Sequence, residues 1–307
     1  MIKGFFSFLC IVLLATTHAF AREAIAKAPS HLVILGDPHL PGKNVPLKEK
    51  VINTINQWND VTMVVAMGDV CEHRGTSEEY AFVKTFFDKL TKPLFAIVGN
   101  HDYIYDDALN VDNKLQKANP KEQQKKLQRF KETFGLQTLS YSLVHEGYFL
   151  IFLSLDSSKH LTLLSSEQLL WLSNELEKNK KLPTIIFFHA PLDKTLNDYK
   201  DHVNKPDFIA QPVGEIRDIL FKNHQVFLWI SGHTHTSPKE ESFASYINLY
   251  ENQVTNIHNT DMNKETIWTN SLFLYQDKVI VKTYDHNTHN WRGEQERVIL
   301  LPTISKF

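Results

Sequence analysis

Cysteine is nearly absent from this 307-residue chain, which has only Cys10 and Cys71. Cys10 lies within the apolar stretch near the start, so removal of that stretch leaves Cys71 alone and excludes an internal disulfide. Cys71 then reads first as a small buried hydrophobe, with a free thiol or an intermolecular partner as the alternatives. Charge of one sign is missing too. The 33 Lys and Arg are balanced by 35 Asp and Glu, mixed along the chain, and this leaves no basic stripe for a nucleic acid. Beyond the first twenty or so residues no apolar run approaches the ~20 residues of a membrane span. There is no internal repeat or low-complexity tract. With 42% hydrophobic residues, the composition excludes disordered and collagen-like classes.

The start of the chain has the pattern of an export signal: Lys3, an apolar stretch over residues 5–16, then the small-x-small triplet Ala19-Phe20-Ala21. Cleavage is expected after Ala21, with Thr17-His18-Ala19 as a second site. The apolar run is shorter than the ~20 residues of a spanning helix, which disfavours an uncleaved anchor. The expected organisation is a signal peptide over 1–21, a linker over 22–30 and one domain over 31–307. The protein is expected to be secreted or periplasmic, with no membrane span once the signal is removed.

From residue 31 onward, short apolar runs alternate with amphipathic stretches. Residues 31–35, 62–67 and 94–98 are β-branched or aromatic runs that stop at Gly36, Gly68 and Gly99, as buried strands do. Helical patterns fall between them, at 47–58 and at 77–90, the second with Ser77 as its N-cap. About 30 residues per strand–helix pair suits βαβ units. Residues 110–132, rich in Lys, Gln and Asn, predict a solvated helix or helix pair. Residues 141–155 predict a hairpin turning at Glu146-Gly147. Ser165 opens another helix, with Gln168 completing a capping box. Residues 184–188 and 226–230 are further parallel-type strands. The segments 243–249, 266–275 and 278–284 alternate like antiparallel strands.

The polar residues at the strand ends carry the chemistry. Asp37-Pro38-His39, Asp69, Asn100-His101-Asp102, His189 and His233-Thr234-His235 each follow directly on an apolar run. In an open α/β sheet the carboxyl ends of strands are where ligands bind. Carboxylate, amide and imidazole groups from distant segments would therefore meet at one edge. Oxygen and nitrogen donors without thiolate suit Mn, Fe, Zn or Co better than calcium.

In this order, Asp37-x-His39, Gly68-Asp69, Gly99-Asn100-His101-Asp102, His189 and Gly232-His233-x-His235 resemble the five-block signature of the calcineurin-like metallophosphoesterases, over residues 31 to about 237. The resemblance implies an α/β fold: a four-layer α/β/β/α sandwich of two mixed sheets flanked by helices. It implies two divalent metal ions, one on Asp37, His39 and His235, the other on Asn100, His189 and His233, with Asp69 bridging. The implied reaction is hydrolysis of a phosphate monoester or diester in a small substrate, by a hydroxide held between cations about 3.5–4 Å apart. His101 would protonate the leaving group or bind the phosphoryl group. Asp102 would orient a neighbouring histidine, or else cap a turn.

Leu155-Asp156-Ser157, Leu169-Leu170-Trp171-Leu172 and Glu175-Leu176 are similar to class III cyclic-nucleotide phosphodiesterases and purple-acid-phosphatase-like enzymes, which makes a 3′,5′-cyclic nucleotide an alternative substrate. Asp69-Val70-Cys71-Glu72 lacks the tyrosine of a purple iron centre. The displaced Arg74 and the Gly-Asn-His-Asp block depart from the protein phosphatases. Arg74 has two readings, a substrate contact or a surface ion pair. His73 and His202 are further candidates for substrate contacts. His145, His160, His224, His258, His286 and His289 are assigned no role. A partner-binding scaffold would be free to lose the seven ligand positions, and all are filled.

Overall fold

The computed structural model describes residues 28–304. The expected signal peptide, Cys10 and residues 22–27 of the linker lie outside the described residues, as do residues 305–307. The described chain forms two mixed six-stranded sheets flanked by helices.

The first sheet starts from β1 (Ser30–Leu35), β2 (Val61–Ala66) and β3 (Leu94–Ala96), which are parallel, with α1 (Val45–Gln57) and α2 (Ser77–Phe87) as crossovers. A helix, α3 (Pro120–Phe134), leads to the second sheet. There β4 (Tyr141–His145) and β5 (Tyr148–Leu153) form a hairpin. After it come α4 (Ser166–Lys178), β6 (Thr184–Phe188), α5 (Val213–Lys222), β7 (Val226–Ser231), β8 (Leu249–Tyr250) and β9 (Val254–His258). The chain then returns to the first sheet with β10 (Trp268–Leu274), β11 (Lys278–Asp285) and β12 (Asn290–Leu300), all antiparallel. The orders are β12-β11-β10-β1-β2-β3 and β4-β5-β6-β7-β9-β8.

The inner strands β1, β2, β5, β6 and β7 are mainly apolar because both of their faces are covered. Leu32, Ile34, Met63 and Val65 point inward to meet Phe152, Phe187, Leu228 and Ile230 of the other sheet. Phe95, Tyr141, Phe152 and Phe187 stack in this middle layer, with centroids 4.8–5.1 Å apart for the pairs that involve Phe152. The alternate residues Val33, Leu35, Val64 and Ala66 face outward, in one core with Val51, Ile52 and Ile55 of α1 and Val83 and Phe86 of α2. Ile151, Ile186 and Phe188 share that core with Leu172, Leu176 and Ile216 of α4 and α5. This alternation yields the helix–sheet–sheet–helix layering expected from the sequence.

Several boundaries differ from expectation. The third strand stops at Ala96, two residues early, where the chain turns into the site. The cap of α2 is Thr76, not Ser77, because the Thr76 hydroxyl accepts from Glu79 N and the Glu79 carboxylate accepts from Thr76 N. Ser165 caps α4, but the return bond comes from Asp156, which accepts from Ser165 N at 3.1 Å, and not from Gln168. Within 110–132 the helix begins only at Pro120, behind an Asn119 cap; proline at a first helical position is preset for it. Of residues 243–249 only Leu249 enters a strand, the two-residue β8, and a 3₁₀ turn, Tyr246–Asn248, precedes it. β9 and β12 were not foreseen. Cys71 is buried, as expected.

Two of the histidines without a role in the sequence reading are buried. Burial pushes His258 down to about 3, although its Nε2–H donates to Thr195 O at 3.0 Å. His286 falls to about 3 through burial and the neighbouring His289. In the unfolded chain both titrate near 6.5. Below that pH the unfolded state binds more protons, so stability is whole above about 6.5 and falls toward about 3. Urea midpoints measured from pH 7.5 to pH 5 should decline, each group contributing up to about 1.4 kcal/mol per pH unit. His286→Gln should make the decline shallower.

Candidate metal centre

The carboxyl ends of β1, β2, β3, β6 and β7 converge, and each delivers polar residues. Asp37, His39, Asp69, His233 and His235 all have positive φ, between 21° and 65°. Non-glycine residues rarely adopt this conformation, and where it clusters it marks a place at which the surroundings over-determine the backbone. Two glycines make room. A Cβ on Gly232 would lie 2.0 Å from Asp37 Oδ1, and one on Gly99 would lie 2.3 Å from both Asp69 N and Asp69 Oδ1.

Two ligand-type clusters result, and they share Asp69. One consists of Asp37, His39, Asp69 and His235, the other of Asp69, His189 and His233. Asn100 joins the second cluster, with its Oδ1 3.1 Å from His189 Nε2. His235 Nε2 lies 2.9 Å from Asp37 Oδ2. From Asp69 Oδ2 the distance is 3.3 Å to His189 Nε2 and 4.0 Å to His39 Nε2.

The imidazoles are oriented from behind. His39 Nδ1–H donates to Glu72 O at 3.0 Å, His189 Nδ1–H to Met67 O at 2.8 Å, and His233 Nε2–H to Asp207 O at 2.8 Å. His235 Nδ1 faces Asp261 Oδ2 at 3.3 Å. Each ring therefore turns its other nitrogen inward, which is how metal-binding histidines are held.

The inward atoms fit a cation. His39 Nε2 and His235 Nε2 stand 3.2 Å apart, and His189 Nε2 and His233 Nδ1 stand 3.1 Å apart. Two lone pairs this close repel unless a proton or a metal lies between them. Asp37 and Asp69 are buried, and among the described residues no lysine or arginine pairs with either. Without a metal, imidazolium must supply the positive charge. At His189 burial opposes that charge, but Asp69 and Asp37 outweigh it and raise the ring to about 10. His39 and His233 are lowered to about 4, mainly by burial and further by the charged histidines beside them. They are thus neutral near pH 7, the form that ligates. The donor set suits Mn, Fe, Zn or Co.

His101 stands beside both clusters. Its Nδ1–H donates to His73 O at 2.8 Å, its backbone N donates to Asp69 Oδ1 at 2.8 Å, and its ring meets His39 edge-on at 5.3 Å. It lines a cavity of about 410 Å³ together with His39, His235, Lys43, Glu72, His73, Asp261, Asn263 and Lys264. Asp102 is the correction. Its carboxylate orients no histidine and instead accepts from Cys71 N at 3.0 Å and Gly99 N at 2.8 Å. Burial and the charge of Asp69 raise it to about 8 against those two bonds. Asp102 is the turn cap, and it binds the β2 and β3 loops together.

His73 lines the cavity. Arg74 does not; its Nη1 donates to Asp107 O at 2.6 Å. His202 packs on Phe208 at 4.4 Å, and Phe208 stacks on His233 at 5.3 Å. Sequence reasoning missed Asp261 and Asn263. They follow the unforeseen β9, so the rule that found the other strand-end clusters would have found them too.

The fold and the double cluster define a metal-dependent phosphoric ester hydrolase, and the comparisons agree. A family model described as calcineurin-like phosphoesterase matches residues 30–237, and the chain belongs to that family. A curated relative, a probable glycerophosphodiester phosphodiesterase from Arcobacter nitrofigilis, is 29% identical over 219 residues, which span 66% of this chain and 71% of the relative. A dimetal phosphatase from Danio rerio superposes with a TM-score of 0.60 at 14% identity, over 90% of this chain and 100% of that one. A purple acid phosphatase from yellow lupin seeds gives 0.61 at 14% identity, over 91% of this chain and 56% of that one. At such identities the two structures speak to the fold alone.

Proposed function

We propose that this protein is an exported phosphodiesterase acting on esters of small polar alcohols, with glycerophosphodiesters as the leading class. Asp37, His39, Asp69 and His235 would hold one divalent cation, and Asp69, Asn100, His189 and His233 a second. The observation that carries this reading is a carboxylate, Asp69, shared between two clusters beside one polar cavity. Apart from imidazoles, the cavity is lined only by Lys43, Glu72, Asp261, Asn263 and Lys264. Such a lining can hydrogen-bond hydroxyl groups, and beyond its imidazoles it includes no aromatic ring to stack on a nucleobase. The name of the Arcobacter relative supports the same class.

Bound cations would supply Lewis acidity toward the phosphoryl oxygens and an activated water. The rest falls to the chain's own groups. His101, anchored at Nδ1, presents Nε2 to the cavity; as imidazolium it can give that proton to the departing alkoxide. Glu72 can accept a hydroxyl proton of the alcohol, while Lys43 and Lys264 can donate to its oxygens.

Glycerophosphodiesters and bis-para-nitrophenyl phosphate should be hydrolysed with higher kcat/KM than para-nitrophenyl phosphate and 3′,5′-cyclic AMP. A preference for the monoester would replace this reading with a phosphatase, and a preference for the cyclic nucleotide with the alternative already named. Export is tested by mass spectrometry of the native protein, where a mature chain beginning at Arg22 is expected.

A further inference from the structure

Lys48 lies on α1 with its side chain fully buried. A buried ammonium is tolerated only when its N–H groups find acceptors. Lys48 Nζ has three acceptors: His39 O at 2.7 Å, Pro41 O at 3.1 Å and Asn263 Oδ1 at 2.6 Å. The same Asn263 oxygen accepts from Lys43 N at 2.9 Å. The turn after His39 therefore wraps around the ammonium. A Cβ on Gly42, where φ is +50°, would lie 2.2 Å from His39 O, 2.4 Å from Asn263 Oδ1 and 2.9 Å from Lys48 Nζ.

The far side of this cradle reaches the second histidine. Asn263 N donates to Asp261 Oδ1 at 2.7 Å, and Asp261 Oδ2 faces His235 Nδ1. Lys48 thus ties the segment that carries His39 to the segment that orients His235, and the two Nε2 atoms concerned stand 3.2 Å apart. We propose that Lys48 is a positioning residue that fixes the spacing of His39 and His235, and so sets the affinity of the Asp37 cluster for its cation. The inference rests on reading that cluster as a cation site. A neutral side chain of the same length would leave the His39 and Pro41 carbonyls without a donor and the Asn263 oxygen with Lys43 N alone.

The test is calorimetric titration of the full, metal-stripped chain with Mn²⁺, for the wild type, Lys48→Met and Ile52→Ala. Ile52 is buried on the same helix, and its apolar side chain makes no hydrogen bond to the site, so it controls for lost stability. Wild type should bind two cations. Lys48→Met should bind one of them about 10- to 100-fold more weakly and the other unchanged, while Ile52→Ala binds both as wild type does. Wild-type affinity for both cations in folded Lys48→Met would overturn the proposal. So would an equal loss in Ile52→Ala, which would make the effect one of packing. If Lys48→Met does not fold, Asn263→Ala should weaken the same cation to a smaller degree, and unchanged affinity there would overturn the proposal equally. A wild-type chain that binds a single cation would instead refute the two-cluster reading, and the inference with it.

Discussion

Asp69→Asn is expected to remove bound metal and turnover together. The two side chains have nearly the same shape, so the change is one of charge and donors. Asp69 is buried, reaches toward His39 and His189 with one oxygen, and accepts the His101 backbone N–H with the other. An amide that turned its one oxygen to the clusters would set its NH₂ against the His101 N–H, donor against donor, and it brings no negative charge to either cluster. Losing the interactions of one cation with the phosphoryl group, worth several kcal/mol, corresponds to a loss of about a thousandfold in kcat/KM. Elemental analysis after gel filtration should show fewer than two metal ions per chain, and circular dichroism should show an unchanged fold. Normal turnover in this variant would remove Asp69 from the bridging position.

His101→Ala should behave differently. Its ring lies outside both ligand clusters, with Nδ1 committed to His73 O and Nε2 facing the cavity. Its contact with Asp69 is through the backbone N–H, which alanine retains. Metal content should therefore stay at the wild-type level while kcat falls by about 10²- to 10⁴-fold, the usual range for a proton donor. The loss should shrink for esters whose leaving group needs no proton, so para-nitrophenolate esters should suffer less than glycerol esters. Loss of metal in this variant would make His101 a ligand instead.

The part of the fold that holds the site was legible because β1, β2, β6 and β7 are buried on both faces, read as continuous apolar runs, and stop where their polar residues begin. β9 escaped because its buried Asn256 and His258 break the apolar pattern. Asn256 Nδ2 donates to Ser231 Oγ at 2.8 Å and His258 bonds Thr195 O, so neither polar group is left unsatisfied. Missing that strand hid Asp261 and Asn263 behind it. β12 escaped because an edge strand is held by backbone bonds to one neighbour and need not alternate; its sequence is mostly polar.

Adjacency misled at Asp102. Asn100 and His101 face the site, but the 3₁₀ turn of Asn100–Asp102 sends the third side chain backward to the N–H groups of Gly99 and Cys71. Lys48 could not be read from the sequence either. A lysine on an amphipathic helix looks like a solvated one, and only the folded turn around Gly42 shows that it is enclosed.

The most direct test is to strip the protein of metal and titrate Mn²⁺ back while following hydrolysis of bis-para-nitrophenyl phosphate. The stripped protein should be inactive, and activity should rise to a plateau at two equivalents per chain. A plateau at one equivalent, or turnover by the stripped protein, would contradict a reaction carried out by two cations sharing Asp69.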